Sequence, residues 1–165
     1  MSGPSVALKQ VPLTEITSIV ERVVADFAHL LSKNCGLSEA QALSSSRRQC
    51  GRSVADMENR GESDIYAIVH ENIGIVGYVW LAERDLPAAS TVHILDIWIA
   101  DNHRRKGFAR QAIDLIVTQS NRRGIGAVTL NVFASNSPAI ALYEKIGFEN
   151  YAQSMLLLNH GPESA

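Results

Sequence analysis

Few folds can accommodate the stretch from Thr91 to Phe133. It opens with TVHILDIWIA, Thr91 to Ala100, a nearly continuous apolar and β-branched run suited to a strand buried on both faces. A helix signal follows from Arg105 to Asn121, with apolar residues at Phe108, Ala109, Ala112, Ile113 and Ile116, and Gly124 and Gly126 to stop it. Ala127 to Phe133 then reads as a second strand. Strand, helix and strand in that order predict a parallel pair joined by a right-handed crossover.

The flanking segments read as further elements of the same domain. Ser5 to Val11 suits a first strand. Beyond Pro12, apolar residues at Ile16, Ile19, Val20, Val23, Val24, Phe27 and Leu31 form a helical stripe, and Gly36 can close that helix with a left-handed turn. Ser38-Glu39-Ala40-Gln41 is a capping box opening a second helix to about Ala55. Its stripe of Ala40, Leu43, Cys50 and Val54 is thin and predicts a largely exposed helix. Asn59 to Asp64 reads as loop. Ile65 to Val69 and Ile73 to Ala82 read as antiparallel strands joined at His70-Glu71-Asn72, followed by a turn-rich connection from Asp85 to Ser90. Near the end, Ser137 caps a helix with Pro138 at its first position, Gly147 ends it, Ser154 to Leu158 forms a final strand and His160 to Ala165 is a tail. The order β-α-α-β-β-β-α-β-α-β predicts an α/β (α+β) fold. Its sheet is mixed and mostly antiparallel, with a central parallel pair and helices on both faces. No repeat or linker divides residues 1–165, so a single domain is expected.

Composition excludes several functions. A net charge of -2 gives no global field for nucleic acid. Cys35 and Cys50 form neither a Cys-x-x-Cys nor a zinc spacing, so no metal is expected. Met1 to Ser5 lacks the pattern of a secretory leader, and Asp96 interrupts a run already too short to cross a bilayer. A cytoplasmic protein that engages neither membrane nor nucleic acid is the expectation.

Between the Thr91 strand and the helix lies Asp101-Asn102-His103-Arg104-Arg105-Lys106-Gly107-Phe108-Ala109. A basic turn running into a helix start aims free N–H groups and the helix dipole at one place. Gly107 removes a side chain from that approach and Ala109 keeps the next position small. Backbone N–H groups from Arg105 to Ala109, Lys106 and Phe108 included, could thus hold a pyrophosphate. The loop is neither a Walker loop nor a Rossmann fingerprint.

A second segment, LNVFASNSPAIALYEKIGF from Leu130 to Phe148, joins it. Together the two resemble the GNAT N-acetyltransferases. Arg104-x-x-Gly107-x-Ala109 matches the family's phosphate loop, and Asn136, Ala139, Leu142-Tyr143 and Gly147-Phe148 match its second pattern. The resemblance implies acetyl-CoA as donor and an amine as acceptor. It also implies that the pantetheine arm lies along the backbone of Ile97, Trp98 and Ile99, where the parallel strands splay apart, with Asn131 and Asn136 on its other side. The family's acceptor pocket would fall here at about residues 27–38 and 150–155, neither of which carries a dense acidic cluster. With little chain beyond Phe148, the rim is expected to be open or completed by a second subunit as a homodimer.

Acetyl transfer needs an acceptor for the amine's proton, a donor for the oxyanion and a donor for the leaving thiolate. The resemblance places Tyr143 near the thioester sulfur as general acid. For the base, the strand offers His93, whose ordinary pKa is near neutral, and Asp96; positioning of a free amine alone is a third route. A non-catalytic acyl-CoA-binding or regulatory protein on the same fold is the alternative, and Tyr143 argues against it.

Overall fold

The computed structural model describes residues 5–86 and 89–158. In chain order the elements are β1 (Val6–Gln10), α1 (Thr17–Cys35), α2 (Glu39–Arg60), β2 (Ile65–His70), β3 (Gly74–Leu86), β4 (Ala89–Ile99), α3 (Phe108–Arg122), β5 (Ala127–Leu130) and α4 (Ser137–Ile146). They divide into two compact units, residues 1–20 with 53–131 and residues 21–52 with 132–165.

The first unit is a mixed sheet in the order β1-β2-β3-β4-β5, antiparallel except for the parallel β4–β5 pair. Helix α3 packs on β1, β4 and β5 and buries Phe108, Ala112, Ile113 and Ile116, the stripe expected from its sequence. Gln111 fixes the first strand to that helix: its Oε1 accepts from the N–H and the hydroxyl of Ser5, both at 2.9 Å. Gly77 on β3 lies opposite Ile99, and a Cβ there would collide with the carbonyl oxygen of Trp98. The close approach of β3 to the end of β4 therefore requires glycine at this position.

In the second unit α1 and α2 share a small core of Ala28, Leu31 and Ala42, with Phe27, Leu43 and Phe133 packed on it. The capping box forms as expected: Gln41 N–H donates to Ser38 Oγ at 3.3 Å and Ser38 N–H to Gln41 Oε1 at 3.0 Å. Gly36 is left-handed (φ +63°) beyond the end of α1.

Several boundaries differ from expectation. Helix α2 runs to Arg60, and its buried residues are Ala42, Ser46, Cys50 and Met57. Ser46 can lie on that face because its hydroxyl donates to the Val24 carbonyl at 2.8 Å, which satisfies a group that apolar counting excludes. Strands β3 and β4 reach Leu86 and Ala89, so the expected connection shrinks to Pro87 and Ala88, which lie outside the described residues, as do Met1 to Pro4 and the tail from His160. Strand β5 ends at Leu130 rather than Phe133. The expected strand from Ser154 to Leu158 is absent: among the described residues this segment pairs with no strand, and Met155, Leu156, Leu157 and Leu158 are exposed. Its unbroken apolar run gives no two-residue alternation to fix a register.

Two glycines test the packing. Gly77→Ala should destabilise by about 2 kcal/mol or more, as overpacking against rigid backbone does. Gly51→Ala, in exposed α2 with nothing near its Cβ, should stabilise by roughly 0.5–1 kcal/mol. Urea unfolding of both variants measures this; equal and small effects would contradict the β3–β4 contact.

Candidate active site

Strand β4 carries the site. Its residues Thr91 to Ile94 pair with Ala127 to Leu130 of β5, and the pairing stops there. Strand β4 continues to Ile99 with β3 alone. At this point the β3–β4 register shifts: Trp80 faces Asp96 but Leu81 faces Ile94, so Leu95 is an extra residue. Such a bulge bends the strand and changes where side chains aim. Strict alternation would send His93 and Trp98 to opposite faces. The bulge instead brings His93, Asp96 and Trp98 to one face, opposite Ala82, Trp80 and Tyr78 in turn. Ile97 and Ile99 take the other face, opposite Val79 and Gly77.

The shared face is polar and aromatic. Tyr78 and Trp98 stack with ring centroids 6.3 Å apart. His93 is buried, and its Nδ1 shares a 2.8 Å hydrogen bond with Oγ1 of Thr129, its register partner on β5. Burial, with a smaller contribution from the Arg84 cation, lowers the His93 pKa to about 4. The ring is therefore neutral at pH 7 and its conjugate acid is strong. Asp96 is half-buried beside the bulge. Trp80 is buried, and among the described residues its indole Nε1 has no hydrogen-bond partner. Thr129 and Trp80 were not candidates by sequence; only the register singles them out.

Beyond β4 a short 3-10 turn at Asp101–His103 leads to the basic loop. Arg105 is left-handed (φ +62°), and so is Gly107 (φ +82°), which caps α3 without any side-chain hydrogen bond. The helix begins at Phe108, three residues later than expected. Two basic side chains hold the loop itself. Arg104 donates from Nε to the Ile99 carbonyl at 3.0 Å and pairs with Asp101 at 2.9 Å. Lys106 Nζ donates to the Asn102 carbonyl at 2.9 Å. Arg105 is exposed. Phe108 is buried with the rings of His70 and His103 edge-on to it. What the loop offers an anion is chiefly the first N–H groups of α3, with Ala109 the small residue behind them.

Asn131 lies just past β5 and is exposed. The remaining candidates belong to the second unit. Asn136, rather than Ser137, caps α4: its Oδ1 accepts from Ala139 N–H at 3.3 Å. Tyr143 is half-buried, its ring edge-on to Phe148 at 5.7 Å, and its carbonyl accepts from the N–H groups of Gly147 and Phe148. Gly147 (φ +111°) makes that helix ending possible.

Residues 31–148 match the model of the Acetyltransferase (GNAT) family. The chain belongs to that family. Among curated relatives, N-acetyltransferase YycN of Bacillus subtilis is 33% identical over 75 residues, covering 46% of this chain and 48% of the relative. The [Ribosomal protein bS18]-alanine N-acetyltransferase of Escherichia coli is 34% identical over 55 residues, 33% of this chain and 37% of the enzyme. The matched stretches thus span about half, or less, of those relatives' length. The crystal structure of YycN superimposes with a TM-score of 0.75 at 23% identity, covering 93% of this chain and 99% of the other. An aminoglycoside acetyltransferase from an uncultured soil sample gives 0.55 at 23% identity, covering 97% and 100%. These structural likenesses show the fold.

Because the folded pKa of His93 lies below its unfolded value of about 6.5, the unfolded chain binds the extra proton first as pH falls. The stability that the neutral ring contributes is present above pH 6.5 and is lost as pH falls toward 4, on the order of 3 kcal/mol over that window. His93→Gln should remove this part of the pH dependence. Urea unfolding at pH 7 and pH 4.5 checks it; parallel losses in both proteins would mean that the ring is not held neutral.

Proposed function

We propose that this GNAT protein transfers an acetyl group from acetyl-CoA to a primary amine of a small molecule or peptide. The observation that carries the reading is the sequence of a parallel pairing that stops at Ile94, a strand that continues to Ile99, and a doubly left-handed loop into the N-terminus of α3. The residues fit the donor. Past Ile94 β4 no longer pairs with β5, so the backbone of Ile97 to Ile99 suits the amides of a pantetheine arm. The uncapped N–H groups from Arg105 to Ala109 suit its pyrophosphate, and Asn131 and Asn136 are the polar contacts proposed for the arm's other side. The donor supplies an activated thioester. The amine nitrogen forms the new C–N bond as the C–S bond breaks, the amine's proton goes to a base, and Tyr143 gives its phenolic proton to the thiolate.

His93 fits a base poorly at neutral pH, since its pKa is lowered to about 4. Asp96, half-buried on the same face, takes that role in our reading. Neither is a strong base, and this bears on the acceptor. At pH 7.5 about a third of a peptide α-amine is already unprotonated, against about one lysine in a thousand. A peptide N-terminus therefore suits this site better than a lysine side chain. Two relatives support the choice by what they are named for: the Escherichia coli ribosomal-protein alanine enzyme, and the catalytic subunit naa20 of an N-terminal acetyltransferase complex in Schizosaccharomyces pombe, 32% identical over 77 residues.

A second copy is part of the same reading, because four consecutive exposed apolar residues, Met155 to Leu158, form a surface that association would cover. Action in the cytoplasm is part of the same reading, and Cys35 and Cys50 form no disulfide among the described residues. The low pKa of His93 is the one observation that favours a non-catalytic acyl-CoA binder instead.

Two variants separate binding from chemistry. Gly107→Leu, which puts a side chain over the uncapped N–H groups, should abolish the thermal shift that CoA produces. Tyr143→Phe should keep that shift and lower kcat roughly tenfold or more on a peptide α-amine. A full shift in the first variant removes the loop from the donor site; wild-type turnover in the second removes Tyr143 as the acid; and a wild-type protein that binds CoA but acetylates no amine favours the binder reading.

A further inference from the structure

One buried polar group on the site's own face has no role in the reaction as described so far. Trp80 is 3% exposed, and its indole Nε1 is buried without a hydrogen-bond partner among the described residues. Its sequence neighbours Val79 and Leu81, and Ile65 opposite it on β2, are apolar. Packing there would be served by phenylalanine, which carries no donor to strand. A buried unpaired donor is costly, and one in a native fold calls for a partner.

The register supplies the partner. Asp96 stands directly opposite Trp80 on β4, on the same face and beside the extra residue Leu95. Side chains directly opposite in an antiparallel pair have Cβ atoms about 5 Å apart, which brings an indole N–H within reach of a carboxylate after a modest change of rotamer. A carboxylate accepts several hydrogen bonds, and those it accepts while charged are short and directional. Among the other residues of this face, Ala82 offers no polar atom, Tyr78 is stacked on Trp98, and His93 is engaged with Thr129.

We propose that Trp80 is a positioning residue whose indole N–H donates to the Asp96 carboxylate when CoA lies along β4, holding that carboxylate in place as the acceptor of the amine's proton. This rests on the acetyltransferase reading. In the step concerned, the amine attacks unprotonated; an N–H bond of the nitrogen that carries the new C–N bond then breaks and an O–H bond forms on Asp96, while the Trp80 N–H stays intact and bonded. Trp80 touches neither amine nor thioester and acts through Asp96.

The chain has two tryptophans, so its indole N–H groups give two resonances, and Trp98→Phe assigns them. With saturating CoA, the Trp80 indole proton should move downfield, and Asp96→Asn should reverse most of that movement. Trp80→Phe should fold normally, bind CoA as the wild type does, and lose roughly tenfold in kcat on a peptide α-amine. If CoA moves the amides of Arg105 to Ala109 while the Trp80 indole resonance is the same in the wild type and in Asp96→Asn, the positioning role is overturned and the donor site stands. Wild-type turnover by Trp80→Phe overturns it equally. If CoA moves nothing, the donor site falls and the proposal with it.

Discussion

Parallel pairing between β4 and β5 lasts four residues, and everything proposed for this chain depends on its stopping there. A longer β5 would satisfy the far edge of β4 as far as Ile99 and leave no backbone for a ligand. The stop coincides with the bulge at Leu95, and the bulge in turn depends on neighbours that tolerate it. Gly77 lets β3 approach the end of β4 closely, and Arg104 reaches back from the loop to the Ile99 carbonyl, tying strand end to loop. Arg104 and Lys106 thus brace the loop that presents the backbone N–H groups.

The bulge also decides the chemistry. By moving Asp96 and Trp98 onto the face of His93, it places a histidine, a carboxylate and an indole at successive positions on one face of β4, with the rings of Trp80 and Tyr78 at facing positions of β3. Burial lowers the pKa of the histidine, which shares a hydrogen bond with Thr129, and in the proposed reading Asp96 takes the amine's proton. In that reading the weak bases favour an acceptor that arrives unprotonated, which is why a peptide α-amine is proposed.

Much of this was legible in the sequence where local rules act alone. The capping box at Ser38 and Gln41, the left-handed Gly36 and Gly147, the α3 stripe and the crossover all follow from short-range chemistry, and they stand in the structure. What was not legible depends on partners distant in sequence. Ser46 is buried with its hydroxyl donating a hydrogen bond to the Val24 carbonyl, so a stripe counted in apolar residues missed α2's true face. One miss is local: Asn136, not Ser137, takes the cap of α4 by accepting from Ala139 three residues on. The final strand failed because strand propensity without alternation or a pairing edge does not make a strand. The face shared by His93, Asp96 and Trp80 required the bulge, which no periodicity in β4 announces.

Hydrogen–deuterium exchange across β4 and the loop that follows tests the central claim most directly. If β4 beyond Ile94 and the start of α3 are the donor site, saturating CoA should slow exchange at the amides of residues 97–99 and 105–109 and leave β1 and β2 unchanged. The account is contradicted if CoA binds, as its thermal shift would show, while those amides exchange at the rate of the free protein.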